Sequence, residues 1–346
     1  MRIENAPRAE WPQLVTAWSQ GDDAAAAELL ELLYQGGAAS VSTARREGEV
    51  LAGRYRLIAP VGQGVTGTVW RARDAKLERD VALKIFDAEP DRMLLARALQ
   101  EARATADVVS EQVLRVYDVV EPGDEGPAFI VMELVQEFDA EKRPQLAIDV
   151  ARAKPRSIEE ALTWARDAAR GLAAAHTRAV FQRDVKLQNM LLTPVTRRVK
   201  VVDFGLATHQ LNDPLETNSD RGSVTLIRND GATIAGTPSC MAPEAARGLV
   251  ADASTEEGRR VLSAIDVFGV GAAMYELLSG CRLYETQAKG AAGLAEVLEL
   301  AGRGPTFPLK ALQARFRISR RVKRVVERAL AVDPRQRYKS VAEMAD

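Results

Sequence analysis

What most limits the folds open to this chain is a change of period. Between about residues 55 and 134 the sequence runs in short alternating apolar and polar stretches broken by glycine and proline. After about residue 157 it becomes mainly helical. The stretch "YRLIAPVGQGVTGTVWRARD" alternates in strand fashion around its glycines, and "RDVALKIFD" (79–87) reads as a further strand. The segment "DRMLLARALQEARATADV" (91–108) predicts a helix. "LRVYDVVEPGDEGPAFIVMEL" predicts a hairpin around Pro122 and Gly123. Short strand-like runs recur near 190–192 and 199–202, and no internal repeat is found. The expected class is α+β, a small β-rich lobe followed by a larger helical one. A chain of 346 residues suits one domain of about 250 residues with additions, or two ordinary domains.

Ahead of this, residues 10–36 predict a helical hairpin. Trp11, Leu14, Val15 and Trp18 fall at helical spacing, "SQGDD" breaks the run, and Leu29, Leu30, Leu33 and Tyr34 follow before Gly36 and Gly37. "GGAASVSTARREGEV" (36–50) is small and polar and reads as a linker, so the domain boundaries fall at 1–50 and 51–346.

The glycine-rich "GQGVTG" (62–67), with Val69 after it, lets backbone approach an anion because Gly62, Gly64 and Gly67 carry no Cβ. No GK[ST] follows, which excludes a Walker loop. No helix follows directly, which argues against a dinucleotide turn. Lys84 stands 15 residues beyond Val69 in "VALK", where alternation puts Ala82 and Lys84 on one strand face. An inward-facing lysine needs an anion. Glu101, 17 residues on within the predicted helix, is the candidate partner.

To these the chain adds "FQRDVKLQN" (181–189), "VDFG" with Asp203 14 residues after Asn189, "APE" at 242–244, "SAIDVFGVG" around Asp266 and "DPRQR" ending at Arg337. Together they resemble the eukaryotic-type serine/threonine protein kinases, a family also found in bacteria. The motifs stand in the family's order from about Tyr55 to the end. The resemblance implies a bilobal fold, with 51–135 as small lobe and hinge and 136–346 as large lobe. The last helix, opened by "SVAEMAD", looks cut short. It implies transfer of the γ-phosphoryl of ATP to Ser/Thr hydroxyls of proteins, with Mg²⁺, or Mn²⁺ as an alternative ion.

Carried over residue by residue, ATP is expected against Val61, Gly62, Gln63, Gly64, Val65, Gly67 and Val69. The adenine is expected between Val69 and Ala82 above and Leu191 below. Its backbone bonds are expected at Glu133 and Val135, beside Met132. Lys84, oriented by Glu101, is expected on the phosphates, and Asp203 and Asn189 on the metal, as hard oxygen ligands. Asp184 is expected to take or orient the substrate's proton, and Lys186 to offset charge on the moving phosphoryl group. Thr237 is expected beside Asp184 in the substrate loop, Asp266 to anchor the catalytic loop, and Arg337 to pair with Glu244. Arg183 before Asp184 implies an activation loop ordered by phosphate, with Thr233 the expected site and Ser223 and Thr225 secondary.

Three departures stand out. Gln182 replaces the usual His, which packs and hydrogen-bonds behind the metal motif, and keeps polar capacity there. Leu187-Gln188 replaces Pro-Glu, which weakens any preference for basic substrates. The segment 135–160 lacks the usual glycine turn, leaving Glu137 and Asp139 as candidates for the ribose. The rival reading is a pseudokinase scaffold that binds ATP and a partner. A small-molecule phosphotransferase fits less well with "GTPSCMAPE". The hairpin at 1–50 reads as a docking element for a regulatory partner.

Composition excludes other classes. A net charge of −1 gives no field for nucleic acid or anionic membrane. Cys240 and Cys281 make no disulfide framework or metal cluster, and a reducing cytoplasm is expected. No signal peptide opens the sequence, and no run of 18 apolar residues occurs. His176 is expected to pack near a helix end and His209 to lie in a long loop, neither with metal-ligand spacing. Cys240 is expected to be a small residue of the substrate-facing loop.

Overall fold

A computed structural model describes residues 45–64, 67–86, 92–123, 126–135, 145–153, 157–204, 215–218, 223–227, 233–249, 251–284, 290–305 and 318–346. The hairpin expected over 10–36 lies outside the described residues, as do Val65, Glu137, Asp139 and His209.

The small lobe is a six-stranded antiparallel sheet. Its strands are β1 (Val50–Leu51), β2 (Tyr55–Gly64), β3 (Gly67–Asp74), β4 (Arg79–Phe86), β5 (Val116–Val120) and β6 (Phe129–Met132), in the order β1-β2-β3-β4-β6-β5. The linker expected to reach residue 50 ends sooner. The Gly48 N–H donates to Leu57 O at 2.8 Å, and the Leu57 N–H to Glu49 O at 2.8 Å, so the sheet already holds these residues. Strand alternation sorts β4 as the period of two requires. Val81, Leu83 and Ile85 enter a core with Tyr55, Leu57 and Trp70. Phe86 joins Leu95, Leu99 and Ile130 on the face toward helix α1 (Arg92–Ala106). Ala82 and Lys84 share the parity of Phe86, as expected. At the sheet's margin Arg54 forks onto Asp74 through two 2.8 Å hydrogen bonds, and this pairing holds the Asp74 carboxyl down at about 2.

The large lobe is built on two long helices, α3 (Ile158–His176) and α5 (Glu256–Ser279). They pack around Trp164, Leu172, Phe268 and Met274. Both are punctuated by their own sequence. Ser157 and Glu160 form a reciprocal capping box on α3. Thr255 caps α5, and Gly280 ends it with φ 68°. α5 is long and apolar enough to cross a membrane, yet 83% of that window is buried within the lobe. Around them lie α2 (Ala147–Ala153), α4 (Pro243–Ala246), α6 (Gly290–Arg303), α7 (Arg320–Ala329), α8 (Val341–Ala345) and the hairpin β7 (Met190–Leu192) with β8 (Val199–Val201).

The polar segment between the "DFG" and "APE" motifs carries strands that the sequence reading did not include. It contains an antiparallel meander of β9 (Leu215–Asn218), β10 (Ser223–Ile227) and β11 (Thr233–Gly236). Thr233 opens β11, opposite Ile227.

Candidate active site

The site lies where the two lobes meet, and its parts come from six elements. β2 and β3 form the glycine hairpin, with Gly62 opposite Val69 and Gly64 opposite Gly67. Val61 and Ala82 are buried on the strands above. Below, Leu191 and Met132 pack against Leu114, Val135 and Val202, which form a small apolar floor. The hinge backbone is informative. The Glu133 N–H is used, donating to Arg115 O at 2.8 Å. Among the described residues, no protein partner takes the Glu133 carbonyl or the Val135 N–H. One acceptor and one donor beside an apolar slot match the hydrogen-bonding edge of an adenine base.

The charged part diverges from expectation at one place. The Lys84 ammonium, buried at 6% exposure, pairs with Asp203 Oδ1 at 2.9 Å. Among the described residues no ion pair joins Lys84 to Glu101, which sits partly buried on α1. The physical reason is the lysine's need for an anion. Here the carboxylate of the "DFG" strand exit meets that need, where the sequence suggested the helix carboxylate. Behind the pair is a cavity of about 40 Å³, bounded by Ala98, Ala102 and Thr105 of α1 and by Phe204.

The catalytic-loop residues come together as expected. Asp184, Lys186, Asn189 and Thr237 are each at least nine-tenths buried. Asp184 Oδ2 pairs with Lys186 at 2.6 Å, and its Oδ1 accepts the Thr237 N–H at 2.9 Å. Lys186 also donates to Thr237 Oγ1 at 2.7 Å. Asn189 donates its amide nitrogen to Asp184 O at 2.9 Å, a bond that uses its donor end and not its carbonyl oxygen. Asp266, fully buried, accepts the Gln182 and Arg183 N–H groups at 3.0 and 2.7 Å. That anchor holds Arg183 at φ 61°, a left-handed backbone that a branched or long residue adopts only under constraint.

Gln182 takes up the support expected of it. It is buried, and its amide nitrogen donates to both Val202 O and Asp203 O at 3.0 Å. His176 does more than pack, since its Nε2 donates to Asp266 Oδ2 at 2.8 Å. Neither the His176 contact nor the Lys200–Glu133 ion pair, at 3.1 Å, was read from the sequence. Both join residues distant along the chain, and a lone charge on a strand carries no local sign of its partner. Desolvation of Cys240, with the charge of Asp184 nearby, pushes its thiol pKa upward, which disfavours the thiolate.

Polar donors, hard oxygens and an apolar slot therefore fit a purine nucleotide and a divalent cation: Lys84 for phosphate, the carboxylate of Asp203 and the amide oxygen of Asn189 for the ion. The comparisons agree. The chain matches the protein kinase domain family over residues 55–345. It is 31% identical to the serine/threonine-protein kinase PknA of Mycobacterium tuberculosis over 306 residues, 87% of this chain and 62% of that protein. Against the Corynebacterium glutamicum protein named serine/threonine-protein kinases PknA, identity is 29% over 86% of this chain and 56% of that protein. Against PknB of Mycobacterium leprae it is 31%, over 85% of this chain and 42% of that protein. The chain thus spans about half the length of the curated relatives it matches. From the motifs in register to the buried loop they build, the chain belongs to the protein kinase domain family.

Proposed function

We propose that the chain is a serine/threonine protein kinase that transfers the γ-phosphoryl of Mg-ATP, or Mn-ATP, to protein hydroxyls. The observation that carries this reading is the buried triad of Asp184, Lys186 and Thr237, with Lys84 and Asp203 joined nearby. Bound Mg-ATP supplies the phosphoryl group and the metal charge that offsets negative charge in the transition state. The protein's own contribution is position and electrostatics. Asp184, held by a backbone N–H and by Lys186, orients the acceptor hydroxyl and takes its proton. Lys186, already compensating Asp184, places a cation beside the acceptor. Lys84 holds phosphate oxygens, for which it must release Asp203. Asp203 and Asn189 supply the ligands of the ion. The hinge carbonyl of Glu133 and N–H of Val135 seat the base.

The scaffold alternative drew on the missing histidine. Gln182 donates to the Val202 and Asp203 carbonyls, which speaks against that reading. Cytoplasmic placement of this segment belongs to the same proposal, supported by two free cysteines. Autophosphorylation on Thr233 is a further part of it. It is supported by the position of β11, which runs directly into Thr237.

The test is incubation with Mg-ATP or Mn-ATP and a protein acceptor, followed by phosphosite mapping. Asp203→Asn and Lys84→Met are expected to lose about 100-fold or more in turnover with unchanged circular dichroism. A folded Asp203→Asn protein with full activity refutes the metal assignment. If Thr233→Ala keeps wild-type activity and no phosphate maps between 217 and 237, the activation-loop part is wrong.

A further inference from the structure

We propose that the ion pair between Lys200 and Glu133 is a positioning device for the nucleotide base. The inference rests on the nucleotide-binding reading above. Lys200 sits on β8 directly opposite Leu191 of β7, and Leu191 belongs to the apolar floor of the slot. Its ammonium reaches the other wall of the site, meeting Glu133 Oε2 of the hinge at 3.1 Å. The two side chains are 13% and 28% exposed, so water and salt screen the pair less than a surface pair.

The backbone around the pair shows what it holds. The Val201 N–H donates to Gln112 O at 2.7 Å, and the Leu114 N–H to Val201 O at 3.0 Å. The Glu133 N–H then donates to Arg115 O at 2.8 Å, and Glu133 Oε2 also accepts the Arg115 N–H at 3.4 Å. Strand β8, residues 112–115 and the hinge are thus one hydrogen-bonded ribbon, and Lys200 spans it from floor to hinge. Two consequences follow. The Glu133 side chain is drawn back toward Lys200, so that the residue offers the slot its carbonyl. The ion pair adds a side-chain tie to the backbone bonds that hold that carbonyl at its distance from the floor. Loss of the pair lets the hinge drift and leaves the base's hydrogen-bonding groups less pre-organised, which weakens binding. Lys200 acts through Glu133 on the base, so the effect falls on binding and spares the chemical step.

The experiment uses the full chain with Lys200→Met, Lys200→Arg, Glu133→Gln and the Lys200→Met/Glu133→Gln double variant. ATP titrations of phosphoryl transfer give KM and kcat, and calorimetry with ADP gives Kd. Lys200→Met is expected to raise KM for ATP and Kd for ADP about five- to tenfold, with kcat within about twofold of wild type. Lys200→Arg recovers most of the loss, and the double variant is no worse than Lys200→Met alone. The proposal is overturned by an unchanged KM and Kd in Lys200→Met, by a loss confined to kcat, or by additive losses in the double variant. Should Lys200→Met fail to fold, Lys200→Arg against Glu133→Gln makes the same comparison: equal Kd in both overturns the proposal. A wild-type chain that binds no ADP refutes the nucleotide reading itself, and the inference with it.

Discussion

At the scale of single residues, the site is held in a backbone shape that its side chains do not favour. Arg183 and Asp203 have φ of 61° and 54°, and a non-glycine residue in that region costs about 1–2 kcal/mol. Each is held by a buried polar neighbour. Asp266 receives the Arg183 N–H, and Gln182 donates to the Asp203 carbonyl. The Gln182 amide oxygen is buried with no hydrogen-bond partner among the described residues, so the donor end of the side chain makes its contacts. It follows that Gln182→His, which retains one ring donor, should leave turnover within about tenfold, a barrier change of roughly 1.4 kcal/mol. Gln182→Leu removes the donors that meet the Val202 and Asp203 carbonyls. A fall of more than about tenfold in kcat/KM is expected, steepest at limiting Mg²⁺. Steady-state kinetics across a metal titration check this, and a fully active leucine variant would show that Gln182 supports nothing.

Among the elements, the glycine hairpin separates two reasons for glycine that the sequence motif merges. A Cβ on Gly67 would stand 1.9 Å from the Ile85 carbonyl oxygen, and its φ is 147°. The neighbouring strand β4 thus forbids any side chain there. A Cβ on Gly62 would meet only Val69 Cβ, at 3.9 Å, an ordinary contact. Gly67→Ala is therefore expected to destabilise the small lobe by about 2 kcal/mol or more, and Gly62→Ala by less than about 1 kcal/mol. Thermal unfolding of both variants decides the matter, and equal midpoints would contradict it. The meander at 215–236 teaches a related lesson. "SVTLI" and "TIAG" carry β-branched residues, and "RNDGA" between them has the composition of a turn signal. These signals lie inside a stretch so polar on average that it reads as a loop. Strand pairing, Val224 with Gly236 and Thr217 for instance, is what makes them strands.

For the molecule as a whole, one buried ion pair fastens the substrate-facing loop to the large lobe. Arg337, fully buried, forks onto Glu244 through 2.6 and 2.8 Å bonds and donates to the Ala264 and Ala331 carbonyls, both at 2.8 Å. Its guanidinium also stands 4.8 Å from the centre of the Phe268 ring on α5. Arg337→Met strands Glu244 in the interior and should cost about 3–5 kcal/mol, whereas the double change with Glu244→Met should recover most of it. Chemical denaturation measures both, and an additive double variant would mean that the pair is not coupled. The sequence by itself determined the α+β order and the strand and helix periods, and its resemblance to the protein kinases marked Asp184, Lys186, Asn189, Asp203 and Thr237 as candidates. The order and the periods are local features, written in alternation, caps and glycines. Tertiary structure decided which anion answers Lys84, that His176 reaches Asp266, and that Lys200 reaches the hinge. Each is a pairing between groups 67 to 119 residues apart, or 90 for the histidine. Such a choice depends on distance and burial in the folded chain, and a linear sequence carries neither.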